Sequence, residues 1–352
     1  MGIVNDMDPL FLELLEIALG SKDCFRTAPN PDQWASLYKM ARKQSVSGVM
    51  ALALERLPEW QLPPLEIGRK WMMERGKASS RSALADKRAA ELTAFFSEAG
   101  YKCCVLKGQG VARLYPDPPS RLSGDIDLWV VGERKKILSL LKGKYKTGRQ
   151  VYHHVDVHFF DDMPVEVHFH PSFMYNMARN AALQRYFDSE AAAWDMAGGA
   201  DPGFFYPRPL FDAVFSLSHI LKHIINEGVG VRQVMDHHFI MAALPEEDKP
   251  KFVATARSLG LAGVGAAMAY VEREIFGGSA VDCVFKPDAR RGRRLLDDIE
   301  QSGNFGHFDE RTGGRTARWR RFITDYPSEI LSLPFRQAWE WSWRILNGYV
   351  KL

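Results

Sequence analysis

The spacing of apolar and polar residues changes period twice along the chain. In the first hundred residues, apolar positions recur at helical spacing, which predicts helices. Asp8-Pro9 is a typical helix start and Gly20 a typical stop. Further helices are predicted over about 32–57, as one helix or a pair, and over about 65–98. This part of the chain is therefore predicted to be helical.

Short apolar runs separated by turn residues follow, and they predict a small sheet. The predicted strands are 101–106 and 126–131, then a hairpin of 151–160 with 164–170, with short helices at 109–115 and 133–141. From about residue 181 the helical period returns, most clearly at 210–225, 231–244, 247–259 and 262–275. The predicted fold is α+β, with N-terminal helices (1–99), a small mixed-sheet α/β core (100–175) and a C-terminal helical domain (176–352).

Composition narrows the class of protein. The chain has 352 residues, of which 46% are hydrophobic and 25% charged, as in ordinary globular proteins. The net charge of +3 does not by itself require a nucleic acid or an acidic membrane as partner. The longest uncharged apolar stretch, 258–271, is shorter than the roughly 20 residues of a spanning helix. With no secretory signal recognised, we expect a cytoplasmic protein whose cysteines are reduced thiols, namely Cys24, Cys103, Cys104 and Cys283.

The most informative segment is 121–131, which reads Arg-Leu-Ser-Gly-Asp-Ile-Asp-Leu-Trp-Val-Val. Residues i and i+2 of a strand point to the same face. Ile126 and Leu128 would then face the core, while Asp125 and Asp127 project together into an open space. Two like charges held this close repel each other unless a cation lies between them. The pair therefore predicts a divalent-metal site, with Mg²⁺ and phosphates as the expected occupants.

A third carboxylate is expected from the hairpin. In the alternating run 164–170, Val165 and Val167 face the core, so Glu166 points to the other face. If this strand lies beside the Asp strand, Glu166 comes close to the pair. Three carboxylates on adjacent strands can hold two Mg²⁺ ions, one on the triphosphate of an NTP and one at an attacking hydroxyl. The competing interpretation is an incidental Asp pair and an ordinary exposed Glu166.

Phosphate-binding groups are expected in the segment that precedes the Asp pair in the sequence. Lys107-Gly108 ends the first strand, directly before a predicted helix. Glycine allows close approach of a ligand to the backbone, and a helix N-terminus attracts anions. Lys107 adds a positive charge. Arg113 and Arg121 are further candidates from the same loop region.

These motifs carry a family resemblance. The stretch from Val105-Leu-Lys-Gly-Gln-Gly through Tyr115-Pro and Arg121 to Gly124-Asp-Ile-Asp-Leu resembles the nucleotidyltransferase superfamily of the DNA polymerase β type. In particular, it is similar to an uncharacterised bacterial nucleotidyltransferase family with a Lys-Gly…Asp-hydrophobic-Asp signature. The later segment with His219, Lys222-His223, Arg232 and Asp236 resembles the helical part of that family, so the resemblance covers roughly residues 30–245.

The resemblance implies metal-dependent transfer of a nucleoside monophosphate from NTP. It implies Asp125 and Asp127 as metal ligands, with Glu166 as the third carboxylate. Many members of the superfamily carry Gly-Gly or Gly-Ser before the Asp pair, whereas this chain has Lys107-Gly108-Gln109 and a long gap to Asp125. The acceptor is not implied, and it could be a small molecule, a sugar, a protein hydroxyl or an RNA end.

Two interpretations stay open for the helical segment. His219, Lys222 and His223 share one helix face, and Arg232 and Asp236 are one turn apart. These residues either form a buried hydrogen-bonded cluster between two helices, or Lys222 or Arg232 binds the triphosphate.

The remaining polar clusters admit other functions. A zinc site is conceivable among the hairpin residues, but we favour a polar sheet face lining a cleft; these residues are His154, Asp156, His158, His168 and His170. The basic clusters 290–294 and 315–321 are interpreted as solvated faces rather than nucleic-acid sites, and the Trp-rich segment 335–343 as a packed helix rather than a membrane anchor. The alternatives to an enzyme are a non-catalytic nucleotide-binding regulatory module on the same fold and a helical scaffold. Oligomeric state is not predicted.

Overall fold

The computed structural model describes residues 7–193, 203–277, 284–311 and 313–347. Within these ranges the chain forms a small sheet between two groups of helices, so the α+β prediction is confirmed. Cys283 lies outside the described residues. The helices are α1 Pro9–Leu19, α2 Pro31–Lys43, α3 Ser47–Met50, α4 Leu65–Glu98, α5 Gly108–Ala112, α6 Arg134–Lys142, α7 Met177–Ala193, α8 Pro209–Asn226, α9 Val231–Ala242, α10 Lys249–Ser258, α11 Ala262–Phe276, α12 Ala289–Ser302, α13 Gly314–Phe322 and α14 Pro327–Leu346.

The sheet of the described residues has five strands in the order β1-β2-β5-β4-β3. The strands are β1 Lys102–Leu106, β2 Ile126–Val131, β3 Lys146–Gln150, β4 His154–His158 and β5 Val165–His168. Strands β2 and β5 are parallel, and the other neighbouring pairs are antiparallel. The predicted hairpin of β4 with β5 is confirmed. The parallel pairing of β2 with β5 places Asp127 beside Glu166.

Local sequence explains the element boundaries that matter most. The Asp8 side chain accepts a hydrogen bond from the Leu10 amide at the start of α1, and Gly20 ends the helix in a left-handed conformation. The long predicted helix is observed as α4, Leu65–Glu98. The predicted helix or pair over about 32–57 is instead α2, α3 and a 3₁₀ turn at Ala51–Glu55, because the chain takes a positive φ at Ser45.

Both faces of the sheet are covered. One face packs against α4 and α6 through alternating residues such as Val105, Leu128 and Val167. The other face joins a larger core that includes Cys104 and Trp129 together with the N-terminal and C-terminal helices. The polar side chains of β2 and β5 therefore project from the sheet toward the helices that cover this face. A cavity lies between this face and the C-terminal helices. The division at residues 99 and 175 stays a prediction.

None of the described helices is both long enough and apolar enough to span a membrane.

Gly48 is a close-packing point that fixes the loop before β2. A Cβ at this position would lie 2.4 Å from the Ser120 carbonyl oxygen and 2.8 Å from the Ala78 Cβ. We expect Gly48→Ala to lower the free energy of unfolding by about 1–3 kcal/mol, because backbone must move to admit the methyl group. Gly76→Ala is the control, since a Cβ there would meet no described atom within 4 Å apart from its chain neighbours and the nearby backbone of its own helix. Urea denaturation should show Gly76→Ala unchanged or stabilised, and equal stability of the two variants would contradict this packing.

Candidate active site

Three carboxylates occupy neighbouring positions at one end of the sheet. Asp125 directly precedes β2, Asp127 is the second residue of β2, and Glu166 is the second residue of β5. Asp127 and Glu166 lie directly opposite each other in the parallel pair, and both point to the face that carries Trp129. The prediction that Glu166 lies beside the Asp strand is thereby met by the observed register.

Asp127 is buried, which corrects the expectation that both aspartates project into an open space. Its side chain is in contact with the Lys107 ammonium, 3.0 Å from Nζ to Oδ1, and with His168, 2.9 Å from Nε2 to Oδ1. Burial raises the pKa of Asp127, but these two partners outweigh it and hold the pKa well below its usual range. The carboxylate is therefore a fixed negative charge inside the protein.

Asp125 is the exposed member of the pair. The neighbouring Asp127 charge is the largest cause that raises the pKa of Asp125 above its usual value. Asp125 lines two cavities, one between the sheet and the C-terminal helices and one against β4, where Glu166 also lies. It thus stands where a cation would relieve the repulsion between the two aspartates.

Glu166 faces two imidazoles. Its Oε2 lies 3.2 Å from His168 Nε2 and 3.3 Å from His154 Nδ1. Burial raises the pKa of Glu166, but the His168 hydrogen bond is among the interactions that outweigh it, and the net pKa is lowered. In the same way, burial lowers the pKa of His168, while hydrogen bonds to Asp127 and Glu166 raise it above its usual value. Both carboxylates are consequently ionised at neutral pH.

The donor set fits a divalent cation. Carboxylate oxygens are the ligands that Mg²⁺ prefers. Lys107 and His168 partly balance the charge of Asp127, whereas the raised pKa of Asp125 reports negative charge that is still uncompensated. A cation bound at Asp125 and Asp127 would supply that compensation.

Lys107 and Gly108 form a sharp turn at the end of β1. Both have positive φ, 51° for Lys107 and 40° for Gly108. A left-handed φ is strained for lysine, so the turn is maintained by its surroundings, including the Lys107–Asp127 ion pair. The helix that follows, α5, has only five residues. Lys107 contacts Asp127 here, and its predicted contact with phosphate remains a prediction.

Arg121 is occupied by a partner from the helical part. Its Nε and Nη2 each lie 2.7 Å from an Asp236 carboxylate oxygen, and the Tyr115 hydroxyl donates to the same carboxylate at 2.6 Å. Burial raises the pKa of Asp236, but the Arg121 guanidinium outweighs it and keeps the pKa low. The group joins the loop before β2 to α9 as a buried ion pair, a role that sequence reasoning did not assign to Arg121.

The two other predicted phosphate ligands lie in different places. Arg232 lines the cavity between the sheet and the C-terminal helices, near the Phe305 ring. Lys222 is not among the described residues that line this cavity. Its ammonium lies 5.8 Å from the Phe173 ring, and burial, with repulsion from Lys107 next, lowers its pKa. The structure therefore places Arg232, but not Lys222, on the wall that holds Asp125.

The histidines of α8 form a hydrogen-bonded chain. His219 Nε2 and His223 Nε2 are 2.7 Å apart, and His223 Nδ1 lies 2.8 Å from Glu227 Oε2. Burial lowers the pKa of His223 to about 4, so the ring is neutral at pH 7. Neutral His223 donates from Nδ1 to Glu227 and accepts at Nε2, which leaves His219 as the donor. This chain lies within α8 and the residue that follows it, so it does not join two helices as the first interpretation expected.

Sequence reasoning missed the contact of His168 with Asp127. The signal was present, because Glu166 and His168 share a face of β5 at i and i+2 and that face meets Asp127.

The small mixed sheet carries acidic residues on adjoining strands beside the basic end of β1, as the resemblance to nucleotidyltransferases implied. The profile of the family described as "Uncharacterised nucleotidyltransferase" matches residues 30–277, which is more than half of the chain. The chain belongs to this uncharacterised nucleotidyltransferase family. No curated protein matches the sequence at a significant level.

Proposed function

We propose that this protein is an Mg²⁺-dependent nucleotidyltransferase that transfers NMP from NTP to a hydroxyl acceptor and releases pyrophosphate. The observation that carries the proposal is the placement of the three carboxylates, with Asp127 opposite Glu166 and Asp125 on the rim of the cavity. The acceptor class is a small molecule, a sugar or a protein hydroxyl. Family membership supports nucleotidyl transfer in general, and the Mg²⁺ requirement and the acceptor are our extension.

Asp125, Asp127 and Glu166 would hold the metal, as one or two ions. When bound, the metal would neutralise phosphate charge and lower the pKa of the attacking hydroxyl.

The chain's own residues prepare the site. Lys107 and His168 hold Asp127 in one position, so that little reorganisation is needed when substrate arrives. Arg232 adds positive charge to the cavity wall, which favours binding of a triphosphate. Apolar side chains on the same wall, including Phe215, Ile220 and Phe305, exclude water from the reacting groups.

The test uses the full chain, each of the four NTPs labelled in turn at the α-phosphorus, and a small-molecule or protein fraction of a cell extract. We expect label to enter one fraction with release of pyrophosphate, and chelation of Mg²⁺ to abolish both. Label in a protein band would identify a protein acceptor, and label in a small compound the other class. NTP binding without pyrophosphate release in any fraction would contradict the enzyme and favour the regulatory module.

A further inference from the structure

A second set of metal-binding atoms lies next to the paired aspartates. His154 on β4 lies directly opposite His168 on β5, and Glu166 is on the same face of β5. One ligand atom from each of His154, Glu166 and His168 lies within 4.8 Å of the other two. Two imidazoles and one carboxylate thus converge on one point of the sheet.

Two of the three separations between ligand atoms match the edges of a tetrahedral site. Zinc ligands lie at about 2.0–2.2 Å from the ion, so two ligands of a tetrahedral site are about 3.3–3.5 Å apart. Glu166 Oε2 is 3.3 Å from His154 Nδ1 and 3.2 Å from His168 Nε2. An ion can therefore be accommodated with small movements of the side chains.

The outer nitrogen of each ring lies near an oxygen atom that could accept its proton. His154 Nε2 lies 3.4 Å from Asp156 Oδ1, and His168 Nδ1 lies 3.4 Å from the His170 carbonyl oxygen. Metal-binding histidines typically donate from the other ring nitrogen to a carboxylate or carbonyl, which turns the lone pair toward the ion. In both rings the nitrogen left for the ion is the one that faces Glu166.

His154 Nδ1 gives an independent indication. It is buried and makes no hydrogen bond with any residue that the structure describes, although Glu166 Oε2 is nearby. A buried polar atom without a hydrogen bond is costly. A coordinated ion would satisfy this nitrogen and the carboxylate together.

We propose that His154, Glu166 and His168 bind one divalent transition-metal ion of the Zn²⁺ type. The nitrogen donors favour such an ion over Mg²⁺, which prefers oxygen ligands. The contacts of Glu166 with the two histidines use Oε2. The site goes beyond the proposed function and does not depend on it. With an ion bound, His168 Nε2 coordinates the ion instead of donating to Asp127, and Lys107 remains paired with Asp127. The competing occupant is a proton on His168 Nε2, shared between Asp127 and Glu166.

The test measures metal binding by the full chain after removal of metals with a chelator. We expect calorimetry with Zn²⁺ to show one tight site, and Co²⁺ substitution to give the visible spectrum of a four- or five-coordinate ion. His154→Gln should weaken Zn²⁺ binding at least tenfold. His158→Gln is the matched control, because His158 is an exposed histidine on the same strand and face, and it should bind Zn²⁺ as the wild type does.

Two further measurements test the zinc ligands directly and separate the zinc site from nucleotidyl transfer. X-ray absorption at the zinc edge of the wild-type complex should detect two imidazole ligands, which requires no variant. Asp125→Asn should retain the Zn²⁺ site even where it abolishes nucleotidyl transfer, so failure of one proposal is separated from failure of the other. If the wild type has no Zn²⁺ site, or if His154→Gln binds Zn²⁺ as tightly as the wild type, the assignment is wrong. The position is then occupied by the proton on His168 Nε2 that Asp127 and Glu166 share.

Discussion

Asp125→Asn is expected to lower the rate of nucleotidyl transfer by roughly 100-fold or more, while the protein remains folded. The loss follows because the variant removes one of the two paired carboxylates proposed to hold the metal. Stability should be unchanged or slightly higher, because the ionised Asp125 is repelled by Asp127, as its raised pKa indicates. Pyrophosphate release and urea denaturation measure the two quantities separately.

Two comparison variants make this expectation specific. Asp161→Asn removes an exposed carboxylate of the loop after β4 and should retain wild-type activity. Asp127→Asn should lose activity and also stability, because Lys107 and His168 would keep their buried positions without their partner carboxylate. Wild-type turnover by Asp125→Asn would remove Asp125 from the metal site, and a large loss of stability would contradict the repulsion inferred between the aspartates.

The sequence predicted the parts of the fold that depend on local pattern. The boundaries of α4 and β2 follow from helical spacing and from a β-branched run, and both were predicted correctly. Strand β3, Lys146–Gln150, was missed because its residues are polar and include Gly148. It is an edge strand that pairs with β4, and an edge strand has no need of apolar residues on both faces.

The site was predictable only where two residues share one strand. Spacing in β2 placed Asp125 and Asp127 near each other, and the alternation in β5 gave the face of Glu166. Burial of Asp127 was not foreseen, although the apolar run Leu128–Val131 lacks the alternation of a half-exposed strand and so indicates cover on both faces. The partner of Arg121 was beyond local reasoning, because Asp236 is 115 residues away in sequence.

The Arg121–Asp236 contact is the basis for the largest expected change in stability. Asp236→Ala should lower the free energy of unfolding by about 3–5 kcal/mol. The substitution leaves the buried Arg121 guanidinium and the Tyr115 hydroxyl without their shared acceptor, and Arg232 lies close enough to add repulsion. Urea denaturation at neutral pH measures the loss. Arg69→Met is the control, because its ion pair with Glu66 is exposed and should contribute little.

Removing both partners separates a structural ion pair from a phosphate-binding arginine. If Arg121 acts by joining the loop before β2 to α9, a paired apolar replacement of Arg121→Met with Asp236→Leu should recover part of the stability that Asp236→Ala loses. NTP affinity should then recover together with stability. If Arg121 instead binds the triphosphate, the double variant should fold well and still bind NTP poorly. Equal stability of wild type and Asp236→Ala would contradict the buried ion pair itself, since an unpaired guanidinium in that position has to be costly.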